Sequence, residues 1–95
     1  MVRTYSTMEL ADQCKSLIGK ESVYAVSKLL GVSQQAVANW YKLGTVMDDE
    51  TGIRVADALK IPRETVLMSL QLERITRRGN ANLTKTWRKI ASQIS

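Results

Sequence analysis

Ninety-five residues with 44% apolar side chains make one small folded domain, short of the size at which chains divide and too apolar to stay disordered. The chain has no histidine, one cysteine (Cys14) and no run of eighteen apolar residues, which excludes an internal disulfide and a membrane span and removes the usual catalytic constellations. No acidic loop has calcium-binding spacing and no glycine-rich loop cradles phosphate, so neither a metal nor a cofactor is expected, and the chain does not read as an enzyme. The first ten residues lack the apolar run of a signal peptide, which predicts a cytoplasmic protein.

The net charge of +5 is unevenly spread. Residues 1–47 carry five basic and three acidic groups, residues 48–76 four and six, and residues 77–95 five and none. A basic excess favours polyanions through counterion release; a solubilising surface explains a charge of this size almost as well.

Helical periodicity dominates. Ser6 and Glu9 form a capping box ahead of the stripe Leu10, Cys14, Leu17 and Ile18, and Gly19 ends that helix. A second helix runs from near Ser22 to Leu30, with Val26, Leu29 and Leu30 on its apolar side. Gly31 takes the turn, where a positive φ costs it little. The third runs from Gln34 to about Leu43 with Val37 and Trp40 inward, and Gly44 stops it. Asp48, Asp49 and Glu50 suit the positive end of a fourth helix whose apolar side is Ile53, Ala56 and Leu59. Pro62 fits the first turn of a fifth. That helix is apolar on two faces, Val66, Leu67 and Leu70 on one and Met68, Leu72 and Ile75 on the other. After a break over residues 77–82, Leu83, Trp87, Ile90, Ala91 and Ile94 share one stripe of a last helix, with Lys85, Arg88 and Lys89 opposite. This stripe is expected to cover the second face of the fifth helix, in the same chain or in a partner's.

Residues 22–43 carry most of the functional signal. Ser33 caps a helix that opens on Gln34 and Gln35, and amide side chains pair bidentately with adenine N7 and N6 in a DNA major groove. Val23 to Lys42 resembles the helix-turn-helix of the lambda-repressor and Cro family. The small Ser27, the turn residue Gly31, and apolar Val26, Leu30, Val32, Val37 and Trp40 carry the likeness. It extends more weakly over residues 6–76, and the Ser-Gln-Gln opening is similar to that of lambdoid phage repressors. Two positions depart from the family: Ser27, where Ala is frequent, and the acidic Asp48–Glu50, where basic or neutral groups are usual.

The resemblance implies an all-α fold: a five-helix lambda-repressor-like DNA-binding domain over 1–78 and an additional basic amphipathic helix over 79–95. It also implies a small phage-type regulator in a bacterial cell, binding double-stranded operator DNA as a homodimer with half-sites about 10–10.5 bp apart. Gln34 and Gln35 are the expected base readers, followed one turn on by Ala38 and Asn39. Tyr24, Lys28, Lys42 and Thr45 are candidates for the phosphate backbone, each equally explained as solvated surface, and Tyr41 and the capping Ser33, through the backbone N–H groups beside it, are candidates too. Met68, Leu72, Ile75, Leu83, Trp87, Ile90 and Ile94 are assigned to tail packing or dimerisation. Arg77, Arg78, Lys85, Arg88 and Lys89 read either as general electrostatic attraction or as a solvated face. The competing reading is a protein-interaction module of the same fold, antitoxin-like or a phage protein holding a protein partner. The second face of the fifth helix and the acidic cluster motivate it.

Overall fold

Four oxygen-bearing side chains start four of the helices. The hydroxyls of Ser6, Ser22 and Ser33 accept from the backbone N–H of Glu9, Ala25 and Ala36 at 3.0–3.1 Å, and the Asp48 carboxylate accepts from Thr51 at 2.8 Å. Each satisfies an amide that has no partner within its own helix. The computed structural model of the protein describes residues 4–79 and 81–93. In it α1 spans Thr7–Ile18, α2 Val23–Leu30, α3 Gln34–Lys42, α4 Asp49–Leu59, α5 Arg63–Arg78 and α6 Ala81–Ser92, with no strand among the described residues. The fold is all-α. No described helix is long and apolar enough to cross a membrane.

Two boundaries differ from those expected. α5 runs through Arg78 to a left-handed Gly79, and α6 begins at Ala81, so the break is far shorter than residues 77–82. Pro62 stands just before α5, at its N-cap, rather than inside the first turn; its carbonyl accepts from Thr65 and Val66.

The core joins Leu10, Ala11 and Cys14 of α1 to Val26 and Leu30 of α2, Val37 and Trp40 of α3, Val55 and Ala56 of α4, and Val66 and Leu70 of α5, with Met47 from the α3–α4 connection. α1 packs on α2, α3 and α4, and α4 lies along α5. Some expected core positions are corrected. Leu17 and Leu29 are 54% and 38% exposed, and Ile53 and Leu59 are only half-buried, whereas Ala11, Ser27, Thr51, Gly52 and Val55 are buried. Helices cross where side chains are small. A Cβ on Gly52 would sit 2.6 Å from Leu70 Cδ1, so α4 approaches α5 there more closely than any larger residue permits.

The two apolar faces of α5 both find cover. Val66 and Leu70 enter the main core while Leu72 and Ile75 are buried apart from it, with Leu67 and Met68 half-buried. α6 packs on α5 of its own chain. Its stripe is only partly covered: Trp87 is half-buried, whereas Leu83 and Ile90 remain 38% and 37% exposed. Ile94 and the Ala91 side chain fall outside the described residues.

A polar node locks α1, α5 and the α3–α4 connection together. The buried Thr7 donates both its N–H and its hydroxyl to Glu73 Oε1 at 2.8 Å, and its Oγ1 accepts from Met47 N–H at 3.3 Å. Arg74, the next residue of α5, donates to the Met47 carbonyl at 2.8 Å. Thr7→Val keeps the shape but leaves the Met47 N–H buried without a partner and removes one of two donors from Glu73. The expected loss is about 1–3 kcal/mol, read as a lowered urea midpoint; an unchanged midpoint refutes the node's importance.

Candidate nucleic-acid interface

α3 has one face held and one face bare. Val37 and Trp40 fasten it to the core, while Gln34 and Gln35 stand exposed on its first turn and Ala38 and Asn39 are half-buried one turn on. Gln35 Nε2 donates to Asn39 Oδ1 at 2.8 Å, an i,i+4 pair on the exposed side. The two amides are therefore a joined unit rather than the separate groups that the sequence presents. The pair leaves Gln35 Oε1 as an acceptor and the Asn39 amide N–H groups as donors, directed away from the bond they share.

The turn before α3 is tightly made. Gly31 closes α2 at φ +66°, and Ser27, buried where the small residue was expected, satisfies its hydroxyl on the Tyr24 carbonyl at 2.7 Å. Arg54 of α4 donates from Nη1 to the carbonyl of Leu30 at 2.9 Å and, more weakly, to that of Gly31 at 3.4 Å. A cation thus sits on the negative end of the α2 dipole and fixes the turn against α4. Sequence reasoning missed Arg54, because it arrives from 24 residues away; the only local trace is Gly31, whose missing Cβ leaves room for the guanidinium at 3.1 Å.

Tyr24, Ser27, Lys28, Gly31, Val32, Ser33 and Gln34 line one shallow cleft between α2 and the start of α3. The candidates Tyr24, Lys28 and Ser33 therefore share a surface with Gln34. Lys28 rests 5.5 Å over the Tyr24 ring, a weak cation–π contact between exposed groups. Lys42 and Thr45 are exposed at the other end of α3. Tyr41 lies apart from these residues. Its hydroxyl donates to Asp12 of α1 at 2.8 Å and the Lys15 ammonium stands 4.2 Å over its ring. Burial first, then the Asp12 carboxylate that takes its hydrogen bond, pushes the phenol pKa above its ordinary value, so the hydroxyl stays a donor committed to α1.

The acidic cluster after α3 is consumed within the chain. Asp48 caps α4, Asp49 pairs with Arg74 at 2.8 Å and Glu50 pairs with Arg54 at 3.2 Å. These contacts do not abolish three negative charges, but two cations offset most of the field they project.

No protein-family model and no solved structure matches the chain. It is 29% identical over 85 residues to "Uncharacterized protein Gp-c" of Pseudoalteromonas phage PM2, an alignment covering 88% of this chain and 92% of that one.

The Thr51 hydroxyl and N–H hold the Asp48 carboxyl below its ordinary value of 3.8. A folded pKa below the unfolded one contributes stability that is complete above the unfolded value and is lost as pH falls through the folded one. Asp48→Asn keeps a capping oxygen but has no proton to bind. Its unfolding midpoint is expected to fall less steeply than the wild type's below about pH 4. Asp57, held down by Arg63, titrates alike in both proteins and cancels. Parallel acid limbs overturn the assignment.

Proposed function

We propose that the protein is a sequence-specific DNA-binding regulator, a Cro-like repressor of lambda-repressor-like fold that binds a palindromic operator as a dimer. The observation that carries this reading is the bare N-terminal turn of α3. There Gln34 and the Gln35–Asn39 pair stand exposed on a helix whose opposite face is anchored by Val37 and Trp40. The short turn through Gly31, the small buried Ser27 and the order of helices support the same reading. The alignment with a phage protein supports a phage setting, and so a bacterial cytoplasm.

In this proposal α3 enters the major groove with its N-terminal turn toward the bases. Gln34 and Gln35 read adenine, Asn39 orients Gln35 and offers donors to the neighbouring pair, and Ala38 permits close approach. Tyr24, Lys28 and Ser33 at one end of α3, with Lys42 and Thr45 at the other, contact phosphates and set the register. Tyr41 contributes by holding α3 to α1. A two-fold dimer doubles the few base pairs that one such helix reaches, and its seam involves the exposed Leu83 and Ile90 of α6. Repression follows from occupying a promoter. The rival reading, a protein-interaction module, loses its two motives: α5's second face is covered within the chain and the acidic cluster is paired.

Binding-site selection from random duplex DNA is expected to enrich an inverted repeat whose half-sites lie about 10–10.5 bp apart. Gln34→Ala with Gln35→Ala leaves the unfolding midpoint near the wild type's. It lowers discrimination against a mismatched base by about 1–3 kcal/mol per lost bidentate contact, roughly 5- to 150-fold. No enrichment, or unchanged specificity in the double variant, would falsify the reading.

A further inference from the structure

Three arginines reach from α4 and α5 to the two turns that bracket α3, and they are not in the same state. Arg54 and Arg74 each hold a backbone carbonyl and a carboxylate. Arg77, one turn of α5 beyond Arg74, does neither. It is exposed, and among the described residues no hydrogen bond or ion pair engages its guanidinium. It lies against Gly44, the left-handed residue that ends the α3 turn at φ +67°. A Cβ there would stand 2.9 Å from Arg77 Nη1 and 3.4 Å from Nη2, so the missing side chain is what lets the guanidinium lie on that turn.

The position matters because of what the turn lacks. A nine-residue helix is about 13 Å long, close to the width of the major groove at about 12 Å. In the pose proposed above, sugar–phosphate strands come near both ends of the helix. At the N-terminal end Lys28 and the amides around Ser33 are available. At the C-terminal end the chain carries no cation from Leu43 to Glu50, and its last three residues there are acidic. Only Lys42 precedes that stretch. A planar guanidinium with free donors, delivered onto Gly44 from α5, supplies what the local sequence omits.

We propose that Arg77 is a phosphate anchor at the C-terminal end of the recognition helix, extending the DNA contact surface from α2–α3 onto α5. The proposal rests on the DNA-binding reading above. The anchor positions and strengthens the complex and reads no base.

The test measures affinity for the selected operator across a salt series for the wild type, Arg77→Gln, Arg77→Lys and Arg78→Gln. One lost phosphate contact lowers the log–log salt slope by about 0.9, so over a fourfold rise in salt the wild type loses about 3.5-fold more affinity than Arg77→Gln. Arg77→Gln is expected to bind more weakly, with that shallower slope, the same preferred sequence and an unchanged unfolding midpoint. Arg77→Lys, which restores a point charge, recovers most of the slope. Arg78→Gln removes the same charge one residue on and changes the slope much less. If the Gln34/Gln35 double variant loses specificity while Arg77→Gln matches the wild type in affinity and slope, the regulator reading stands and the anchor is wrong. If Arg78→Gln loses as much as Arg77→Gln, the effect is net charge and the anchor is again wrong. A wild type that shows no sequence preference overturns the regulator reading and, with it, the anchor.

Discussion

The peptide groups on either side of Met47 fix the exit of α3, while Val37 and Trp40 seat its inner face in the core. The connection from Leu43 to Asp48 is irregular, and an irregular segment buried beside a core must find partners for its backbone or be expelled to water. Met47 solves this with three contacts: a side chain buried in the core, an N–H taken by Thr7 and a carbonyl taken by Arg74. Thr7 in turn hangs on Glu73, the residue preceding Arg74 on α5. Two consecutive residues of α5 thus clamp the N-terminus of α1 and the exit of α3 to the same spot. The bonds made by Glu73 and Arg74 have a charged partner and so exceed the ordinary net contribution of a neutral pair.

The same internal pairing governs the electrostatics around α3. Along the chain, Asp48–Glu50 is an acidic block set just after α3. In space one member caps a helix, and the other two hold arginines that themselves grip turns. Charges engaged in internal geometry are weak determinants of what binds, whereas unengaged ones, such as Lys42, keep their reach into solvent.

What the sequence revealed follows from locality. The cap at Ser6, the helix starts near Ser22, Ser33 and Asp48 and the left-handed exits at Gly19 and Gly31 are set within four residues and stand within a residue or two of where spacing puts them. By contrast, α5 runs past the break expected from residue 77 to Gly79. Burial is set by neighbouring helices, and there the large-apolar rule failed: Leu17 and Leu29 are exposed, while Ala11 and Gly52 are buried, the latter where α4 meets Leu70 of α5. At the candidate site, the exposure of Gln34 and Gln35 and the inward Trp40 were legible from period and cap. The Gln35–Asn39 bond is an i,i+4 relation that spacing permits but does not require. The identity of the arginines was not legible, since nothing within 20 residues of Gly31 or Gly44 announces which distant cation will occupy the room a glycine leaves.

The thiol of Cys14 has a practical use that follows from its place in α1. It is the chain's single cysteine, wholly enclosed by the core, and burial pushes its pKa up to about 11. Neither a reagent nor a metal ion meets a thiolate while α1 stays seated. Alkylation under native conditions therefore follows the population in which α1 has lifted away from α2, α3 and α4, which makes this one sulfur a gauge of opening of the fold, with or without a bound partner.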